Sequence, residues 1–159
     1  MQQSPTYQCH IGSAGWDHPD WDGSFYPEDL PVEWRLAFYS QIFSCVYLSY
    51  AAWSQAGSET LAQWVEDTPE RFKFVLEAPL SEDGADAEKL AILSPRTGLL
   101  LAAAGSEQVL WLDAKPDLKQ LARRLHELTL SGQPVYIISG THNLEVMEKV
   151  KILLEVMGL

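Results

Sequence analysis

The sequence predicts an α/β fold of about five βα units around a mostly parallel sheet. Short apolar runs alternate with stretches whose apolar residues recur at helical spacing, which is the pattern of strands joined by helices. Five units in 159 residues give about 32 residues per unit, close to the roughly 31 of an eight-unit barrel. This spacing is compatible with two architectures, a truncated TIM barrel and an open doubly wound five-stranded sheet.

The strands are predicted from short runs rich in β-branched and aromatic residues. Pro79 ends the third run, because proline cannot continue a central strand. Residues 98–104 fit either a helical turn or a strand. The predicted strands cover residues 7–11, 45–50, 72–76, 109–112 and 135–138.

The helices are predicted from apolar stripes and from residues typical of helix ends. Pro31 suits the first turn of the first helix, and Ser58 suits the N-cap of the second. Gly132 ends the fourth helix, which carries leucines every three or four residues. The predicted helices cover residues 31–43, 58–65, 86–93, 118–128 and 146–157.

The charge balance excludes two classes of partner. The chain holds 22 acidic and 11 basic residues, a net charge of −11, so no broad surface is available to neutralise phosphates. We therefore expect neither nonspecific nucleic-acid binding nor attachment to anionic membranes. The chain has no internal repeat and no linker, which predicts a single α/β domain over residues 1–159.

The compartment is predicted from the cysteines and the first residues. Cys9 and Cys45 are isolated in apolar runs, which is typical of buried, reduced thiols. The first ten residues lack a basic segment followed by an apolar one, and no apolar run approaches the roughly 18 residues of a membrane span. The sequence predicts a cytoplasmic protein.

One motif near the start of the chain is specific enough to indicate a family. Residues 11–27 read IGSAGWDHPDWDGSFYP. This stretch resembles the signature Gly-x-x-Gly-Trp-x-x-x-x-Trp-x-Gly-x-Phe-Tyr-Pro of the YecE-like family (domain of unknown function, number 72). The likeness continues over residues 12–79. The matching residues are Gly12, Gly15, Trp16, Trp21, Gly23, Phe25, Tyr26 and Pro27.

The resemblance implies a TIM-barrel-like fold with no established activity, and the departures from it concern polar positions. Tyr47 stands where the family has an acid after its second strand, and Ser49 stands where it has an asparagine. Glu77 replaces a lysine after the third strand, and no histidine follows it. The chain has no room for the family's later strands. The resemblance therefore implies a shortened relative with an altered polar site.

Candidate site residues follow from strand position, because ligands of parallel βα folds bind at the carboxyl ends of the strands. Acid–base chemistry needs groups whose surroundings separate their pKa values. The alternative for Asp17 and His18 is that they cap the backbone of a tight turn. The catalytic candidates are Asp17, His18, Glu77 and His142, and the ligand-binding candidates are Ser13, Trp16, Trp21, Tyr26, Trp53 and Asp113.

A metal site is the weaker interpretation of the same residues. His18, Glu77, Asp113 and His142 are acceptable ligands for a divalent metal, but no short spacing motif joins them. A solvated acidic rim explains them better, so the sequence predicts neither a metal nor a cofactor.

Three functions remain open from the sequence. The first is protein interaction, in which a second copy, as a homodimer, or another chain completes a sheet with unpaired edges. The second is binding of a small polar ligand, with acid–base chemistry of the hydrolase or isomerase type as its catalytic alternative. A metal-dependent enzyme ranks well below both.

Overall fold

The structure, a computed structural model, describes residues 9–80 and 84–159. Its strands are β1 (Cys9–Ala14), β2 (Cys45–Leu48), β3 (Lys73–Glu77), β4 (Thr97–Leu101), β5 (Val109–Leu112) and β6 (Val135–Ser139). Its α-helices are α1 (Arg35–Ile42), α2 (Tyr50–Ser54), α3 (Ser58–Asp67), α4 (Gly84–Leu93), α5 (Leu118–Thr129) and α6 (Leu144–Met157). Short 3-10 turns lie at Pro19–Trp21, Val32–Trp34 and Ser94–Arg96.

The strands form one parallel sheet in the order β4-β3-β2-β1-β6-β5. β1 lies between β2 and β6, and its residue Cys9 pairs with Val135 of β6. A last strand beside the first is the arrangement that closes a TIM barrel. The α/β prediction is confirmed, and the sheet is a six-stranded parallel half-barrel with helices between most of its strands.

The sheet opens between β4 and β5, which are its two edge strands. These strands are consecutive in the chain and are joined by residues 102–108 without a helix. The opening of the half-barrel therefore lies between two strands that follow each other in the chain. β4 falls in the segment that the sequence left open between a helical turn and a strand, and it forms because it pairs with β3.

The concave face of the sheet has its own small apolar core. It contains Cys45, Val75, Leu101, Val109, Tyr136 and Ile138, all buried. A Cβ atom added at Gly98 of β4 would lie 2.3 Å from the hydroxyl oxygen of Tyr136 on β6. Strands on opposite sides of the opening therefore touch across the interior, so the sheet is strongly curled.

The larger core lies between the convex face of the sheet and the helices. Leucine stripes predicted from the sequence supply it, including Leu121 and Leu125 of α5. Asp117 and Asn143 cap α5 and α6 by accepting hydrogen bonds from backbone N–H groups of the first turns. Gly158 ends α6 with a φ of 74°, in the left-handed region that glycine adopts without strain.

The backbone of β2 and the side chain of Tyr39 from α1 both approach closely at Gly12 of β1. A Cβ atom there would lie 1.8 Å from the carbonyl oxygen of Cys45. The hydroxyl of Tyr39 occupies the same region, donating to that carbonyl oxygen at 2.7 Å and accepting from the N–H of Ser13 at 2.9 Å. Only glycine fits at this position, which is the first glycine of the matching motif.

The two cysteines are buried thiols, as the sequence predicts. Cys9 and Cys45 are free and buried, and burial raises the pKa of Cys9 to about 11 and that of Cys45 well above its ordinary value. Over residues 9–80 and 84–159, no helix has the length and apolar character needed to cross a membrane.

Candidate functional site

Buried aromatic side chains fold the connection between β1 and α1 over the carboxyl end of the sheet. Trp21 is 2% exposed, stacks on Tyr39 with ring centroids 6.1 Å apart, and donates from Nε1 to the carbonyl oxygen of His142 at 3.2 Å. Tyr26 donates its hydroxyl hydrogen to the carbonyl oxygen of Trp16 at 2.6 Å. These bonds fix the loop from both ends, so the residues it presents are held in defined positions.

Arg35, the first residue of α1, joins two acidic residues of this loop. Its guanidinium pairs with the carboxylates of Asp17 and Asp22 and lies 5.4 Å from the ring centroid of Tyr26. The Asp17 carboxylate is therefore paired with a cation, and this pairing joins the loop to the start of α1.

Two histidines from different loops stack on each other. The rings of His18 and His142 lie 3.9 Å apart with an interplanar angle of 8°. His18 donates from Nε2 to the carbonyl oxygen of Gly15 at 3.1 Å. Nε2 of His142 lies 3.9 Å from a carboxylate oxygen of Asp20. His142 has a φ of 45°, which is uncommon for a residue other than glycine.

The pKa of His18 lies below its ordinary value of 6.5, chiefly because the ring is partly buried and secondly because His142 repels a second positive charge. The carbonyl oxygens of Ala14 and Gly15 and the carboxylate of Asp17 act in the opposite direction. The imidazole of His18 is consequently neutral at pH 7.

We expect the His142→Asn variant to raise the pKa of His18, because it removes the neighbouring positive charge. Asparagine tolerates the positive φ at this position. A two-dimensional ¹H–¹⁵N NMR titration of the histidine side chains measures the pKa in both proteins. An unchanged His18 pKa in the variant would contradict the role given to His142.

The lowered pKa of His18 also makes stability depend on pH. The free energy of unfolding of the wild type should fall as the pH decreases from 6.5 to the lowered pKa, since the unfolded chain binds a proton there that the folded chain does not.

A cavity with a volume of about 660 Å³ lies between the loop and α3. The buried side chains of Leu36 and Leu48 form its floor. Trp16 and Trp64 line it in an edge-to-face contact with ring centroids 5.0 Å apart. We call this space the tryptophan cavity. Its other lining residues are Gly15, Asp17, His18, Val32, Glu33, Ala52, Glu59, Thr60, Gln63 and Asp67.

Glu77 lies in a second, smaller cavity at the end of β3. Its carboxylate accepts hydrogen bonds from the N–H of Tyr50 at 2.8 Å and from the hydroxyl of Tyr47 at 3.2 Å. Burial and the adjacent Glu77 raise the pKa of Tyr47 to about 12. The cavity has a volume of about 320 Å³ and reaches Leu101 and Trp111 beside the opening of the sheet.

The structure brings together some of the catalytic candidates and separates others. Asp17 and His18 line the tryptophan cavity, and His142 stacks on His18. Glu77 lines the other cavity. In the described ranges, 9–80 and 84–159, no group of three or more His, Cys, Asp or Glu side chains is placed to hold a metal ion.

The ligand-binding candidates are distributed between the core, the cavity and the surface. Trp16 lines the tryptophan cavity, and Asp113 is exposed at the end of β5. The other four, Ser13, Trp21, Tyr26 and Trp53, are buried and have internal hydrogen bonds. The Nε1–H of Trp53 donates to the carbonyl oxygen of Glu77 at 2.9 Å, so this tryptophan supports a strand end.

Sequence reasoning missed the contribution of α3 to the cavity. Trp64 belongs to the apolar stripe that predicts this helix, and in the structure it is half-buried and lines the cavity. A signal was present in the sequence. Glu59, Gln63 and Asp67 recur every four residues, which places three polar side chains along one side of a helix next to Trp64.

The comparisons with known proteins agree with the motif. The sequence model of a family described as "Protein of unknown function DUF72" matches residues 10–82. A DUF72 family protein from Thermotoga maritima MSB8 is 19% identical with a TM-score of 0.45, over 84% of this chain and 56% of the other. One from Enterococcus faecalis V583 is 17% identical with a TM-score of 0.40, over 82% and 50%. The chain thus spans about half the length of these proteins. Residues 10–82 of the chain are therefore similar to the DUF72 family, as a partial and diverged match.

Proposed function

We propose that the protein binds a small, partly apolar ligand in the tryptophan cavity. The observation that carries this proposal is the cavity itself, whose volume of about 660 Å³ lies within the range of about 300–1,000 Å³ of small-molecule sites. It lies beside the carboxyl ends of β1 and β2, where parallel βα folds bind their ligands.

The rigidity of the cavity supports the proposal. Its floor consists of buried side chains of α1 and β2, Leu36 and Leu48. Trp16 is held through its own carbonyl oxygen by Tyr26, and Trp64 also contacts Phe74 of β3, with ring centroids 6.4 Å apart. A preformed site loses little conformational entropy when a ligand binds, which favours affinity for a small molecule.

The placement of the titratable groups favours binding over acid–base catalysis. Asp17 is paired with Arg35, and His18 stacks on His142. Each of the two side chains thus interacts with a residue outside the cavity lining. Glu77 belongs to the smaller cavity and accepts two hydrogen bonds there. A pair of groups with separate roles around one substrate is the usual requirement for such chemistry.

The second copy that the sequence predicts as a partner stays a prediction. The two edge strands are where it would pair, and their exposed apolar side chains, Leu100 at 45% and Trp111 at 51%, are the residues that such a contact would cover.

We test the binding proposal by filling the cavity from its rim. Ala52 of α2 is exposed and lines the cavity, so Ala52→Trp should occupy the space without disturbing the core. The probe is the neutral molecule indole-3-ethanol, for which about 0.3 kcal/mol per non-hydrogen atom corresponds to a Kd of about 2 mM. Titration followed by NMR should show saturable shifts of the Trp64 indole N–H in the wild type and at least a tenfold weaker Kd in the variant.

The matched control is Ala51→Trp, at an exposed neighbouring position of the same helix that does not line the cavity. It should bind the probe as the wild type does. The proposal fails if the wild type shows no saturable shift, or if Ala52→Trp binds indole-3-ethanol as tightly as Ala51→Trp.

A further inference from the structure

We infer that the tryptophan cavity selects ligands that carry a positively charged amine on an apolar body. This inference rests on the proposed function and adds the chemical class of the ligand. It follows from three properties of the lining: its carboxylates, its indole rings and the neutrality of its histidine.

The charged groups of the lining are all acidic at neutral pH. Asp17, Glu33, Glu59 and Asp67 line the cavity, and no lysine or arginine is among its described lining residues. Arg35 balances Asp17 from outside the lining. Asp67 accepts a hydrogen bond from the neutral amide of Gln63 at 2.8 Å, which leaves its charge uncompensated by that contact. The cavity therefore attracts cations and repels phosphates and carboxylates.

The apolar part of the lining suits the same class of ligand. The π face of tryptophan is the best side-chain surface for a cation, and it binds ammonium groups more strongly where water is displaced. Trp16 and Trp64 stand above the floor formed by Leu36 and Leu48, which offers contact to an aromatic or aliphatic body. A small cation without such a body would leave this floor uncovered.

His18 is the one lining residue able to become positively charged. Its partial burial and its contact with His142 keep the imidazole neutral at pH 7. His142 stacks on this ring and lies beside Asp20, and the carboxylate of Asp17, which also acts on the ring, is paired with Arg35. A neutral ring does not repel an amine, so the field of the carboxylates determines selectivity.

Three probes with one indole ring and similar side chains separate charge from shape. Tryptamine is a cation, indole-3-ethanol is neutral, and indole-3-propionate is an anion. In 20 mM salt at pH 7 we expect tryptamine to bind at least tenfold more tightly than indole-3-ethanol, and the anion at least tenfold more weakly. This preference should fall below threefold in 1 M salt, where the Debye length is about 3 Å.

The carboxylates are tested with the double variant E33Q/E59Q, which keeps the shape of the rim and removes two charges. Its preference for tryptamine over indole-3-ethanol should decrease at least fivefold. The matched control is Glu66→Gln, which removes an exposed charge of the same helix outside the cavity and should leave the preference unchanged.

The outcomes separate the two proposals. Equal affinity for the three probes overturns the charge inference and leaves the binding proposal intact, whereas no binding of any probe overturns both. A preference that survives in E33Q/E59Q overturns the role of these carboxylates. Undiminished tryptamine binding by Ala52→Trp would show that the amine binds elsewhere on the acidic surface, and this also overturns the inference.

Discussion

Replacing Gly12 by alanine is expected to lower the free energy of unfolding by at least about 3 kcal/mol, at the upper end of the usual cost of overpacking a core. The added Cβ would lie 1.8 Å from the carbonyl oxygen of Cys45, which is backbone and cannot turn aside. Relief of this clash requires separation of β1 from β2. The added Cβ would also lie 2.8 Å from the hydroxyl oxygen of Tyr39, so this side chain would have to move as well. Urea denaturation followed by circular dichroism measures the change.

Gly84→Ala is the control for this substitution. Among residues 9–80 and 84–159, no heavy atom other than those of its chain neighbour and its own helix backbone lies within 4 Å of a Cβ built at Gly84, which begins α4. Alanine should change the free energy of unfolding by less than about 1 kcal/mol, in the stabilising direction expected for Gly→Ala in a helix. Similar urea midpoints for Gly12→Ala and the wild type would show that β1 and β2 are not packed as described.

Trp21→Ala is expected to cost about 4 kcal/mol, within the range for removing a large aromatic side chain from a core. The ring is 2% exposed, contacts Phe25, Tyr26 and Tyr39, and its Nε1–H holds the loop that follows β6. At 2–4 °C per kcal/mol, the melting temperature should fall by about 8–16 °C. Differential scanning calorimetry measures this shift.

Trp34→Ala removes a tryptophan from the same connection between β1 and α1, but one that is 61% exposed. It should change stability by no more than about 0.5 kcal/mol. Equal melting temperatures for Trp21→Ala and Trp34→Ala would contradict the burial of Trp21 and its role in joining the two loops.

The helices and most strands could be predicted because their patterns are local. The leucine stripe of α5 and the N-caps Asp117 and Asn143 specify their helix within a few residues. The place of β6 beside β1 could not be predicted in this way, because no local pattern states which strand a given strand will pair with. The same holds for β4, whose apolar run becomes a strand through its partner β3.

The site was predicted in part for a related reason. The motif identified a loop rich in aromatic residues, but its sequence does not distinguish Trp16, which lines the cavity, from Trp21, which is buried. That difference depends on the hydrogen bond from Trp21 to His142, 121 positions later. Glu77 was placed at a strand end, as observed, yet the curl of the sheet directs it to another cavity than His18.

The position of β1 between β2 and β6 has a consequence for the kinetics of folding. Starting at β5, the spatial order of the strands is β5-β6-β1-β2-β3-β4. All neighbouring strands except β6 and β1 are therefore consecutive in the chain. Among the strand pairings, that of β1 with β6 is the one that must close a loop of most of the chain, and it carries the largest entropic cost of these pairings. Synthesis from the amino terminus leaves that edge of β1 without its partner strand until β6 is made.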